Sequence, residues 1–122
     1  MTITFADLPL RKSTIDALNA HGFISPFPIQ EAVLPIALAD GDVIGQAKTG
    51  TGKTLGFGIP IIERIIAPLD SEWAALEFKG QPQALVVVPT RELCVQVTKD
   101  ILRQKIKTSQ KDLVGVYFYG VK

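Results

Sequence analysis

Apolar residues in this chain recur at two different spacings, and each change of spacing marks a new element. Leu10, Ile15, Ala17 and Leu18 lie at roughly helical intervals ahead of His21-Gly22, which predicts a short helix over 10–20 stopped by a glycine. Pro26 and Pro28 hold the backbone extended before a second helix. That helix is expected to start near Pro28, since proline is tolerated in a first turn, and to run towards Ala39 with a kink at Pro35. Asp40-Gly41-Asp42 is a turn signal, and the continuous apolar run Val43-Ile44-Gly45 after it reads as a buried parallel strand ending near Ala47.

A glycine-rich stretch then leads into a third helix, expected from Lys53 to Ile66 despite Gly56, Gly58 and Pro60, and closed by Ala67-Pro68. Residues 69–82 show no sustained period and read as an exposed connection, in which Trp73 and Phe78 form a local staple. Ala84 to Val88 is the clearest strand, Arg91 to Lys105 a helix with Leu93, Val95, Val97, Ile101 and Leu102 on its apolar positions, and Leu113 to Tyr119 a last strand. Strands alternating with helices predict an α/β fold with a parallel sheet of about three strands and right-handed crossovers.

Composition narrows the function classes. At 122 residues, 47% of them hydrophobic, the chain supplies one globular unit or part of one. A net charge of +1 is too small to steer the whole molecule to nucleic acid, so any such site must be a local patch. Cys94 is the only cysteine, which excludes an internal disulfide and a cysteine zinc cluster and suits a reducing cytoplasm. No stretch has the length of a membrane span, and Met1 to Asp7 lacks the pattern of a signal peptide.

The chemistry concentrates in Ala47-Lys48-Thr49-Gly50-Thr51-Gly52-Lys53-Thr54. This fits a phosphate-binding loop between strand and helix, with Ala47 in the first glycine position. Gly50 and Gly52 let backbone N–H groups curl around phosphate oxygens, and the helix starting at Lys53 directs its positive dipole end at them. Lys53 then reaches the β- and γ-phosphates, and the Thr54 hydroxyl is placed to ligate Mg²⁺.

Such a loop is shared by many nucleotide-binding proteins, and two flanking segments choose among them. Gly22-Phe23-Ile24-Ser25-Pro26-Phe27-Pro28-Ile29-Gln30 resembles the Q motif of DEAD-box RNA helicases, with Phe5 standing 17 positions before Gly22 where that family has an isolated aromatic. Pro89-Thr90-Arg91-Glu92-Leu93, with Gln96 beyond it, is similar to the family's motif Ia. Departures are Phe27 for the usual threonine, Cys94 for the usual alanine, and Gly120-Val121 in place of a Gly-Gly pair.

The resemblance implies a RecA-like P-loop domain, with 1–31 as the Q-motif region and 32–122 carrying the phosphate loop and motif Ia. It also implies ATP and Mg²⁺ as cofactors. On this reading the Gln30 amide pairs with the N6/N7 edge of adenine and rejects guanine, Phe5 and Phe23 line the ATP site, and Phe5 offers an aromatic face. Thr90 caps the following helix, and Pro89, Thr90, Arg91 and Gly120 contact the RNA sugar-phosphate chain without reading bases. Standing alone, Phe5 reads as a core anchor, Thr90 as an ordinary cap, and the lysines around Lys99 to Lys111 as a solvated helix face.

The Asp-Glu-Ala-Asp tetrapeptide and the second domain's arginine finger are not in the sequence, so no catalytic set is complete. The expectation is a truncated front part of an ATP-dependent RNA helicase, with the remainder of the core as its missing partner and little ATP turnover of its own. Without that remainder the phosphate-loop strand would keep an open edge. The competing readings are a non-catalytic ATP- or RNA-binding module and an inert fragment. A P-loop kinase has no need of Gln30 or Pro89-Thr90-Arg91.

Overall fold

Helix α1 (Lys12–Ala20) stops where its sequence turns to glycine. Gly22 takes φ 81°, and the N–H groups of Phe23 and Gly22 reach back to the carbonyls of Leu18 and Asn19 at 2.9 and 3.0 Å. This is the paired bonding of a Schellman cap, which satisfies the last carbonyls and turns the chain into the Phe23 to Pro28 segment. The structure, a computed structural model, describes residues 3–48, 52–66, 71–77 and 81–106, with side chains through Ile101.

Pro28 opens α2 (Pro28–Leu38), which continues for three residues beyond Pro35. Proline forfeits one backbone bond there, and burial of Val33 and Leu34 on the inner face supplies the compensation. Helix α3 (Lys53–Arg64) buries Leu55, Ile59 and Ile62, and packs against both α2 and α4 (Arg91–Ile106). A 3₁₀ turn at Phe5–Asp7 precedes α1, and a second covers Ser71–Ala75.

Two apolar clusters hold these helices. Phe5, Leu8, Leu18, Leu34, Leu55 and Ile59 form the larger, joined by Leu10 and Leu38, so that the N-terminal turn, α1, α2 and α3 share one core. Ile62, Val97 and Ile101, with Val88 against them, fasten α3 to α4. Polar links reinforce the same junctions. The Glu63 carboxylate, on the last turn of α3, accepts the Arg11 backbone N–H at 3.2 Å and the Thr14 hydroxyl at 2.5 Å. The Arg11 guanidinium in turn donates to the Glu63 carbonyl. Arg64 donates to the Ala37 carbonyl at the end of α2 and pairs with Asp40 at 2.7 Å.

The strand expectations fare differently from the helical ones. Among the described residues no strand ladder forms, and segments 41–48 and 81–88 run as chain without assigned regular structure. Most of their apolar side chains lie open, with Ile44, Leu85 and Val87 more than four-fifths exposed, while Val88 packs against the second cluster. A parallel strand obtains its ladder bonds from neighbouring strands and its cover from crossover helices, so an apolar run alone does not make one. The third expected strand, 113–119, lies outside the described residues. No helix among the described residues is long and apolar enough to cross a membrane.

Candidate nucleotide site at the start of helix α3

Gly52 is the hinge of the site. It stands at the N-cap of α3 with φ 82° and ψ 27°, a left-handed conformation that glycine adopts without steric cost. Its Cα is also crowded: a methyl group there would come within 2.5 Å of Phe27 Cδ2 and closer still to Gln30 Nε2. Only a residue lacking Cβ lets the loop end, the Phe27 ring and the Gln30 amide meet at one point.

Gln30 makes that meeting specific. Its Oε1 accepts the Phe27 backbone N–H at 2.9 Å, and its Nε2 donates to the Gly52 carbonyl at 2.9 Å. The first bond is half of a capping box, in which the third residue of a helix reaches back to the N-cap. The phenylalanine at that N-cap has no oxygen to return the bond. Gln30 is 1% exposed, and the two bonds account for burying its polar amide. The amide keeps a second N–H and a second lone pair, which an adenine edge would reach only once this 1% exposed side chain is uncovered.

Lys53 begins α3 with an exposed side chain, and Thr54 follows, partly covered, on the first turn. The first N–H groups of a helix have no partner within it, so this end of a 12-residue helix presents donors and a partial positive charge beside a lysine. Anion binding is the chemistry such an arrangement performs. Ala47 and Lys48 lead into the loop, and Thr49, Gly50 and Thr51 lie outside the described residues.

The two expected aromatics part company. Phe23 is 41% exposed, with its ring centroid 6.4 Å from that of His21. Phe5 is 1% exposed in the main core, and its backbone N–H donates to the Ile24 carbonyl at 2.9 Å. In this arrangement Phe5 offers no open ring face to a base and instead anchors the Phe23 to Pro28 segment from below.

At the other expected site, α4 starts directly after Thr90, whose Oγ1 accepts the Leu93 N–H at 3.2 Å. Pro89, Thr90 and Arg91 are all exposed there, and Gly120 lies outside the described residues. Among the described residues no group of three or more His, Cys, Asp or Glu is placed to hold a metal. The Glu63 link and the engagement of Gln30 with Gly52 were not read from the sequence. Only the second left a signal, a glutamine at the third helical position.

Comparison with known proteins identifies the family. Residues 27–119 match the model of the DEAD/DEAH box helicase family. The chain is 44% identical over 103 residues to the DEAD-box ATP-dependent RNA helicase CshA of Bacillus subtilis, covering 84% of this chain and 19% of that protein. The crystal structure of the RNA helicase Prp28 from Chaetomium thermophilum bound to ADP superposes with a TM-score of 0.68 at 36% identity, over 81% of this chain and 23% of that one. Dbp5 of S. cerevisiae bound to RNA and ADP BeF3 superposes with a TM-score of 0.66 at 27% identity, over 85% of this chain and 25% of that one. The chain spans about a fifth to a quarter of the length of the curated relatives it matches. Its helices thus follow the RecA-like domains of such helicases, and the chain belongs to the DEAD/DEAH box helicase family.

Proposed function

We propose that this chain forms the ATP-binding part of an ATP-dependent RNA helicase, with the nucleotide held between Gln30 and the first turn of α3. The observation that carries the proposal is the 2.9 Å bond from the Gln30 amide to Gly52, which joins a base-reading side chain to an anion-binding helix end. Lys53 neutralises the β- and γ-phosphates, while Lys48 and the loop residues Thr49 to Thr51 wrap them with backbone donors. Adenine is selected when the Gln30 amide is uncovered to the N6/N7 edge, and Phe23 supplies apolar contact beside it.

The Thr54 hydroxyl would hold Mg²⁺, a cation that takes oxygen ligands and would there offset phosphate charge. Arg91 and the first turn of α4 engage the RNA backbone, and because phosphates carry no base identity the contact is sequence-independent. The whole of 1–122 belongs on this reading to one RecA-like domain, in which 43–47 and 84–88 are strands of a parallel sheet completed by the rest of the helicase core. The likeness to relatives named as ATP-dependent RNA helicases supports ATP-driven remodelling of RNA, and the single cysteine suits a cytoplasmic setting.

The test is phosphate release from ATP by the natural full-length protein, with and without RNA, beside the same measurement on Lys53→Ala. RNA-stimulated release that disappears in the variant is the expected result. ATP binding without release would leave a binding module, and equal use of GTP would remove Gln30 from base selection.

A further inference from the structure

We infer that Gln83 is a positioning residue for the RNA contact at Pro89-Thr90-Arg91, an assignment that rests on reading that turn as the RNA site. Gln83 lies 17 positions beyond Ile66, the second residue past the end of α3. Its Oε1 accepts the Ile66 N–H at 2.8 Å, and its Nε2 donates to the Ile66 carbonyl at 2.9 Å. Opposed residues of neighbouring strands exchange the same two bonds, and here one side-chain amide makes both. The clasp lies exposed, where water competes for each group, so its net contribution to stability is small. Two bonds to one residue nevertheless fix distance and orientation together.

What the clasp fixes is the segment that follows it. Gln83 and Ala84 border a small cleft with Pro60, Ile61, Arg64 and Ile65, which seats the start of the segment on the last turns of α3. Val88 seats its end, against Ile62, Val97 and Ile101. Between these two holds Leu85 and Val87 are more than four-fifths exposed, and among the described residues no strand ladder restrains them. A slip of one residue in an extended segment turns every side chain to the opposite face. Here it would take Val88 off the contact between α3 and α4 and swing Pro89-Thr90-Arg91 with it. Gln83 opposes that slip by gripping Ile66, and so keeps the proposed RNA contact in place relative to the helix that carries the proposed phosphate site.

The experiment is RNA-stimulated phosphate release from ATP by the natural full-length protein and by Gln83→Leu, which keeps side-chain bulk and removes both bonds. The RNA concentration giving half-maximal stimulation should rise by about 3- to 30-fold, because the turn must then be ordered at each binding event. RNA-free release, KM for ATP and kcat at saturating RNA should stay as they were. A clasp that only held the fold together would move none of these, or would move kcat and the KM for ATP as well. Gln83→Glu keeps the acceptor and loses the donor, and should shift the RNA concentration in the same direction. Hydrogen exchange reads the clasp directly: the Ile66 amide should be protected in the unmodified protein and lose that protection in Gln83→Leu. An unchanged half-maximal RNA concentration, a matching change in kcat or in KM for ATP, or an unprotected Ile66 amide overturns the inference and leaves the RNA reading standing. Absence of RNA stimulation in the unmodified protein overturns the RNA reading and the inference with it.

Discussion

A glutamine that is 1% exposed is expected to cost stability unless both ends of its amide are paired, and in Gln30 both are. Replacing it with alanine strands the Phe27 N–H and the Gly52 carbonyl and opens a cavity. Gln30→Ala should lower unfolding free energy by about 2 kcal/mol, read as a lower urea midpoint at unchanged slope. Gly52→Ala should cost at least as much, since it adds left-handed backbone strain to a collision with Gln30 and Phe27. Because the two residues share one contact, the double variant should lose less than the sum of the singles; strict additivity would mean that the bond contributes nothing.

At the scale of elements, the helices are tied at their ends. Helix α1 has Arg11 at its N-cap and Thr14 three residues on, and neither supplies the capping carboxylate. Glu63 does so from α3, about 50 positions away in sequence, taking the Arg11 N–H and the Thr14 hydroxyl. The bond welds the start of α1 to the end of the helix whose other end carries the proposed phosphate site. Glu63→Ala is expected to reduce stability by about 1–2 kcal/mol, and a cycle with Thr14→Val should show coupling of about 1 kcal/mol. Zero coupling in thermal melts of the four proteins would place the carboxylate's effect elsewhere. Thr90 acts locally by comparison: Thr90→Ala removes the cap of α4 and should cost about 1 kcal/mol.

For the whole molecule, the two apolar segments at 43–47 and 84–88 bear on how the helices are completed. Ile44 and Val87 stand in solvent among the described residues, a placement that forgoes about 25 cal/mol for each Å² of apolar surface left uncovered. If these segments are strands of a parallel sheet in the natural full-length protein, their amides should exchange hydrogen slowly, at rates close to those of global opening. Fast exchange at 43–46 and 85–88 would remove the sheet from the proposal.

What local chemistry decides was legible along the chain. Apolar spacing predicted α1 and α4, the prolines ahead of it predicted α2 and the glycine-rich loop predicted α3, all close to where they occur, and His21-Gly22 predicted the stop of α1, Pro28 the start of α2, and Thr90 the cap of α4, because each depends on bonds within a few residues. The glycine–lysine–threonine run likewise pointed to the start of α3, since a helix end binds anions wherever it stands. Which partners those residues take depends on packing between distant segments. Phe5 could equally be a base platform or a core anchor until α1, α2 and α3 closed around it. Gln30 was legible as a polar side chain with two-sided hydrogen bonding, but its bonds to Phe27 and Gly52 depend on the approach of α2 to the loop. Glu63 was one acidic residue among twelve until the end of α3 met the start of α1. Distance along the chain carries no information about such meetings, because they are set by how buried faces pack and not by neighbouring residues.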